Sequence, residues 1–476
     1  MKNKLEIFLV AGLLLGAVIA RSYRINFPLA DWHSWRQADT AAVARNFIKT
    51  KFDLLYPQSD SLLALNDKGL DNPNRLFINE FPLYNASVAL LYKFFGVNVM
   101  YGRLVSLVLS VTGAFFLYLL TKKLLGRKTA LLALFYYAFN PYNVYYGRVF
   151  MPDPSFVSLG IISLYWCVKW VEKNKFIYGL LMAITFALAT LVKPYALLMA
   201  LPMVYWVILN WRLSVFKKPE LYLFVVVALL PLLLWRFHLS LHPEGSFAST
   251  WLLNGDNIRF KGSFFRWIIF DRLNRLIFAT GGFVLFVLGL FVSYMRKNTS
   301  LFFCWALAVF IYITIFAKGN VNHDYYQLPI MAPGSVLVAI ASLFLIRLGT
   351  NKIVRVINSL LVTALLVISF AFGWFEVRGF FNVNNIAIVN AGAKVDEITE
   401  DDALVIAPYM GDPAFLYQTN RWGWPIGGDV ESKIKEGADY YVTTSKDEDY
   451  AKLKVKYPVV YENDEFSILH LSGISK

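Results

Sequence analysis

Very little of this sequence is suited to chemistry in water. Only 16% of its 476 residues are charged, there are five histidines, and there are two cysteines. Both cysteines, Cys167 and Cys304, fall inside apolar runs, which excludes a disulfide framework and a Cys-rich metal site. No glycine-rich phosphate loop occurs; Gly427-Gly428 alone carries no such signal. Internal repeats are absent, which argues against an inverted-repeat transporter. Acidic residues are scarce, 32 against 46 basic ones. The resulting charge of +14 does not indicate nucleic acid, because the basic residues are distributed by topology.

Apolar sequence dominates instead: 57% of residues are hydrophobic and 17% aromatic. Runs of roughly 17–25 apolar residues suffice to cross a bilayer. About eleven are expected, near 5–20, 103–121, 129–146, 155–171, 176–192, 195–211, 220–237, 277–295, 301–317, 327–346 and 354–375. Lys2 and Lys4 precede the first span. Lys122 to Lys128, Lys173 with Lys175, Arg212 with Lys217 and Lys218, Arg296 with Lys297, and Arg347 to Arg355 fill every second connection. This positive-inside alternation places the N-terminus in the cytoplasm and the C-terminus outside. The expected class is an α-helical polytopic membrane protein of the cytoplasmic membrane, with a membrane domain over residues 1–375.

Composition changes near Glu376. Residues 376–476 hold 17 acidic and 10 basic side chains and read as a small extracytoplasmic α/β domain. Residues 403–407, 440–443 and 466–471 have strand character, and 385–398 and 430–436 have helical character. The first outer loop, about 21–102, is long for a connector. It is expected to hold interfacial helices at Thr40–Ile48 and, entered through Pro82, at Leu83–Phe95.

Polar residues gather where this topology puts the outer face. Asp31, His33, Arg36 and Asp39 crowd the first loop within Asp31–Phe47 (DWHSWRQADTAAVARNF), and Glu80 follows in NEFPLY. Arg148 and Asp153 lie in GRVFMPDP, Lys193 follows the fifth span, Arg259 lies in the second outer loop, and His323, Tyr325 and Tyr326 lie in NHDYYQLP. Ionisable residues beside membrane spans mark functional sites. Cations at membrane depth attract a lipid phosphate, and a nearby carboxylate accepts a proton from an attacking hydroxyl. Together they describe glycosyl transfer from a polyprenyl-phosphate sugar to a lipid, glycan or protein acceptor. Such a donor needs one base and phosphate-binding cations, because the lipid phosphate is already a competent leaving group. The alternative is a transporter or flippase for lipid-linked sugars; it would place ionisable residues at mid-depth in the spans, where few occur. Glu80 and His323 are the residues available for a divalent cation, should one be needed.

WRQADTAAVARNF, the E-x-P of NEFPLY, GRVFMPDP and NHDYYQLP occur in the order and spacing that resemble dolichyl-phosphate-mannose-protein mannosyltransferases. This is glycosyltransferase family 39 with its bacterial relatives, within the GT-C superfamily. The resemblance spans about residues 1–375, and NRWGW at Asn420–Trp424 is similar to the outward domain of the bacterial branch. It implies inverting transfer from a polyprenyl-phosphate-linked sugar at the outer face. Relatives such as the lipid A aminoarabinose transferases carry D-E-x-x-Y-A where Arg36-Gln37 stand here. The catalytic carboxylate is then expected at Asp31, with Asp39 as the alternative and Asp153 sharing the role. The relatives' E-K-P reads Glu80-Phe81-Pro82, which shifts phosphate binding toward Arg148 and Lys193.

Overall fold

In the computed structural model, residues 2–64, 66–247, 249–294 and 296–471 are described. The chain forms two compact units. The first joins residues 1–25, 103–237 and 249–379; the second joins 26–102, 238–248 and 380–476.

The first unit is helical. Among the described residues of the whole chain, six helices are long and apolar enough to cross a bilayer, seven if one bent pair counts as a span, and Phe176–Val192 and Ser300–Ile315 are shorter apolar helices. The count of eleven is not recovered by length alone, because polar or proline-containing breaks divide several apolar runs. Asn140-Pro141 splits the run expected at 129–146 into helices Arg127–Phe139 and Pro141–Tyr146. Lys193 is extended between helix Phe176–Val192 and the helical stretch from Pro194.

The sharpest break is a 115° bend between Gly262–Ile277 and Ala279–Tyr294. It frees backbone carbonyls, which at membrane depth must find partners inside the protein. The Phe278 carbonyl accepts from Ser369 Oγ at 2.6 Å and from Tyr136 OH at 3.2 Å. The Ile277 carbonyl accepts from Asn140 Nδ2 at 2.8 Å. Gly282 packs where a Cβ would lie 2.1 Å from the Tyr136 hydroxyl, so only glycine admits this clasp.

The second unit is built on a five-stranded sheet: β1 (Leu404–Ile406), β2 (Trp422–Trp424), β3 (Ala438–Thr443), β4 (Val459–Glu462) and β5 (Ser467–His470), in the order β2-β1-β3-β5-β4. β1 is parallel to both β2 and β3, while β5 is antiparallel to β3 and β4. Ile406, Trp424, Tyr441 and Leu469 form its core. The first loop belongs to this unit, not only the tail beyond residue 376. Leu62 N donates to the Gly423 carbonyl at 2.8 Å and Gly423 N to the Asp60 carbonyl at 3.0 Å, so the loop extends the sheet beyond β2. Arg421 of the NRWGW motif is buried and binds Asp396 at 2.6 Å and the Glu400 carbonyl at 2.7 Å.

The loop helices are Ser34–Lys49 and Leu83–Phe95. The second has the expected bounds: Pro82 precedes it and Gly96, at φ 80°, ends it. The first starts six residues before Thr40. Thr40 resembles an N-cap in sequence, but its hydroxyl donates to the Arg36 carbonyl one turn back at 2.8 Å, a mid-helix pattern. The helix opens at His33, whose backbone is left-handed at φ 56°.

Candidate functional site

In the helical unit, the expected residues Asp153, Lys193, Tyr325 and Tyr326 come together. Asp153 sits in the first turn of helix Asp153–Lys173. Its Oδ1 accepts from Lys193 Nζ at 2.7 Å, and both side chains are buried. The ammonium also lies 4.9 Å from the ring centre of Tyr326, 5.3 Å from Tyr325 and 5.6 Å from Tyr195. Asp153 Oδ2 is buried with no hydrogen-bond partner among the described residues. Removing such a pair from water is costly, and one bond leaves it incompletely satisfied.

Four further residues outside the expected set, Tyr142, Tyr146, Arg272 and Asp324, join this region. Tyr146 OH donates to the Asp324 carboxylate, Tyr142 OH donates to the Asp324 carbonyl at 2.7 Å, and Arg272 lies 3.6 Å from Asp324. The tyrosine-rich run PYNVYY was the available signal, but it reads equally as an apolar span. His323 stacks on Tyr325 at 5.4 Å and meets Trp251 edge-on at 5.9 Å. Arg148 is fully buried, donates to the Arg24 carbonyl at 3.2 Å and lies 5.4 Å from the Tyr145 ring. Arg259 is placed differently from the rest. It donates to the Thr314 and Ile315 carbonyls at 2.6 and 2.5 Å, closing the C-terminus of helix Ser300–Ile315.

In the second unit, Asp31 is fully buried and its Oδ1 accepts from Gln37 Nε2 at 2.6 Å. Gln37 was not expected in the site; its spacing of six from Asp31 crosses the helix start. His33 meets Trp32 edge-on at 5.1 Å. Arg36 donates to Glu80 at 2.7 Å. Asp39 is 5% exposed. Burial pushes its carboxyl up to about 7; Arg36 opposes this, while Asp412, Asp60 and Glu80 add to it. Among the described residues no group of three or more His, Cys, Asp or Glu side chains is arranged to hold a metal ion.

Apolar helices long enough to cross a bilayer, together with these buried polar clusters, mark an integral membrane protein. The family model described as dolichyl-phosphate-mannose-protein mannosyltransferase matches residues 79–235, the stretch holding Glu80, Arg148, Asp153 and Lys193. No curated protein matches the chain by sequence. Among solved structures, ArnT from Cupriavidus metallidurans bound to undecaprenyl phosphate superposes with TM-score 0.67 at 13% identity, covering 99% of this chain and 98% of ArnT. The apo state of ArnT gives 0.63 at 12%, covering 98% of each chain. The Archaeoglobus fulgidus oligosaccharyltransferase in complex with Zn and sulfate gives 0.58 at 12%, covering 90% of this chain and 67% of that one. The family match and the shared fold support a glycosyltransferase.

Proposed function

We propose that the protein is an inverting glycosyltransferase that moves a sugar from a polyprenyl-phosphate-linked donor to an acceptor hydroxyl at the outer face of the cytoplasmic membrane. The observation that carries this reading is the buried Asp153–Lys193 pair beneath Tyr195, Tyr325 and Tyr326. It holds a cation in a low-dielectric setting with an unused carboxylate oxygen beside it, an arrangement a packed core would replace with apolar side chains. A phosphate would add charge-assisted bonds to Lys193, to the tyrosine hydroxyls and to Arg148. These fixed donors would stabilise the charge that grows on the departing phosphate. ArnT, similar in fold, has been seen with undecaprenyl phosphate bound, which agrees with that donor class.

The first-loop carboxylates are assigned the proton. An inverting reaction needs a base on the acceptor hydroxyl but no acid for a phosphate leaving group. His33, Arg36 and Glu80 are assigned to substrate binding beside them.

The test uses purified protein with undecaprenyl phosphate and with an undecaprenyl-phosphate-linked sugar. Wild-type protein should bind the lipid phosphate, and Arg148→Ala should bind it at least tenfold more weakly. Unchanged affinity in that variant would make Arg148 a structural clasp on the Arg24 carbonyl. Absence of sugar transfer to any hydroxyl acceptor would overturn the enzymatic reading.

A further inference from the structure

Arg75 is the odd cation of the second unit. It is only 7% exposed, yet among the described residues it forms no ion pair. Its Nη1 donates to the Ser59 carbonyl at 3.1 Å, and the guanidinium lies 3.6 Å over the Trp422 ring. Arg45 and Arg75 have one carboxylate acting on them between the two, that of Asp60. Both oxygens of Asp60 are already engaged: Arg45 binds Oδ2 at 2.5 Å, and Asn46 Nδ2 donates to Oδ1 at 3.0 Å. One positive charge is left over in a buried setting, where an unneutralised cation is costly.

The surroundings fix this side chain in place. Trp422 Nε1 donates to Asn46 Oδ1 at 3.1 Å, and Asn46 is held in turn by Asp60 and by the Gln58 carbonyl. The ring under the guanidinium is therefore locked in orientation. The backbone of Arg75 is left-handed at φ 54°, where glycine or asparagine is the ordinary choice. Asn72 secures that turn: its carbonyl accepts from the Arg75 amide at 2.9 Å and its Oδ1 from the Leu76 amide at 2.9 Å. Nε and Nη2 of Arg75 make no hydrogen bond to the described residues and are not sealed from solvent. These two nitrogens form the edge of a guanidinium that offers two parallel N–H bonds, the geometry that matches a carboxylate or a phosphate.

We propose that Arg75, stacked on Trp422, is a subsite for an oxyanion carried by a sugar, a carboxylate or a phosphate, gripped by the Nε–Nη2 edge. The inference rests on the glycosyl-transfer reading above only for the choice of a sugar as the carrier. The stack and the Ser59 bond hold the fork ready before the ligand arrives, so little side-chain freedom is lost on binding. The incoming charge would neutralise the cation that Asp60 leaves unmatched.

The test is binding to purified full-length protein, followed by ligand-observed NMR titration with three soluble sugars and no lipid. Glucuronate carries a carboxylate and glucose 6-phosphate a phosphate, while glucose carries neither. At least one charged sugar should bind, the tighter of the two naming the oxyanion, and glucose should bind at least tenfold more weakly. Arg75→Lys keeps the charge without the fork and should weaken binding at least tenfold. Arg75→Asn suits the left-handed backbone, so it should melt close to wild type and lose binding. Glucose binding as tightly as the charged sugars overturns the subsite, as does wild-type affinity in Arg75→Asn. Wild-type affinity in Arg75→Lys overturns the two-pronged grip, and that variant decides the matter if Arg75→Asn fails to fold. If wild-type protein binds no charged sugar, the subsite falls and Arg75 is a clasp on Trp422 alone. Transfer from an undecaprenyl-phosphate-linked sugar is scored separately. Binding through Arg75 without any transfer would sink the glycosyl-transfer reading and leave the oxyanion subsite standing.

Discussion

Lys193 reaches Asp153 across 40 positions of sequence to form a 2.7 Å ion pair, and each partner stands at a helix break. Asp153 opens a helix behind Pro152, and Lys193 is extended between two helical stretches. The breaks let the two side chains meet, where a continuous helix would carry them apart.

That pair can be tested as a unit. Lys193→Met alone leaves the Asp153 carboxyl buried without its partner, and should cost roughly 3–5 kcal/mol in a thermal melt. Lys193→Met with Asp153→Leu should recover most of that stability. The double variant should nevertheless fail to bind undecaprenyl phosphate with wild-type affinity. A stable double variant with full affinity would show the pair to be purely structural.

The pH dependence of stability should carry the signature of Asp39. Its folded value, about 7, lies above the unfolded value near 3.8. The folded state therefore holds this proton more tightly, and the contribution is full below the unfolded value. It is lost as pH rises through about 7. Asp39→Asn removes that loss, so the variant should melt at higher temperature than wild type above neutral pH. The difference is expected to be on the order of a few kcal/mol and to vanish toward acid pH.

Gly423→Ala should disable the second unit. Gly423 has φ 150°, and a Cβ there would lie 1.9 Å from the Val405 carbonyl oxygen in the neighbouring strand. Backbone cannot yield as a flexible side chain would, so destabilisation beyond about 4 kcal/mol is expected. Limited proteolysis should cut residues 380–476 faster in this variant, while the helical unit stays resistant.

Orientation is testable with one engineered cysteine. Cys167 and Cys304 are both buried, so they give little background. Ser445→Cys in intact cells should react with a membrane-impermeant thiol reagent. Protection in cells, with reaction only after lysis, would reverse the topology and the outer-face assignment.

Local signals in the sequence were reliable where the physics is local. Pro82 and Gly96 bracket one loop helix, and Lys193-Pro194 marks a real break. Hidden features were those decided by a distant partner. Arg259, grouped in sequence with the outer-face polar residues, places its guanidinium on the carbonyls of Thr314 and Ile315, a partnership that sequence spacing does not show. β2 is three residues with a central glycine, too short to announce a strand, and it exists because β1 and the first loop flank it. β4 and helix Glu448–Lys456 escaped notice for a similar reason, since their sequences alternate weakly and their faces are half exposed. By length alone the described helices give six or seven spans where eleven are expected, because polar and proline-containing breaks shorten several of them.

The loop residues that extend the sheet past β2 have a consequence for anyone dividing this protein. A fragment starting at residue 380 would lose Asp60 and Leu62 and with them both backbone bonds to Gly423. Arg75, 3.6 Å over the Trp422 ring, would be lost as well. The fragment would present an unguarded strand edge with a bared tryptophan beside it, the kind of surface on which chains pair with copies of themselves. A soluble form of this domain should therefore carry residues 26–102 grafted ahead of it; without them, self-association through β2 is the expected fate.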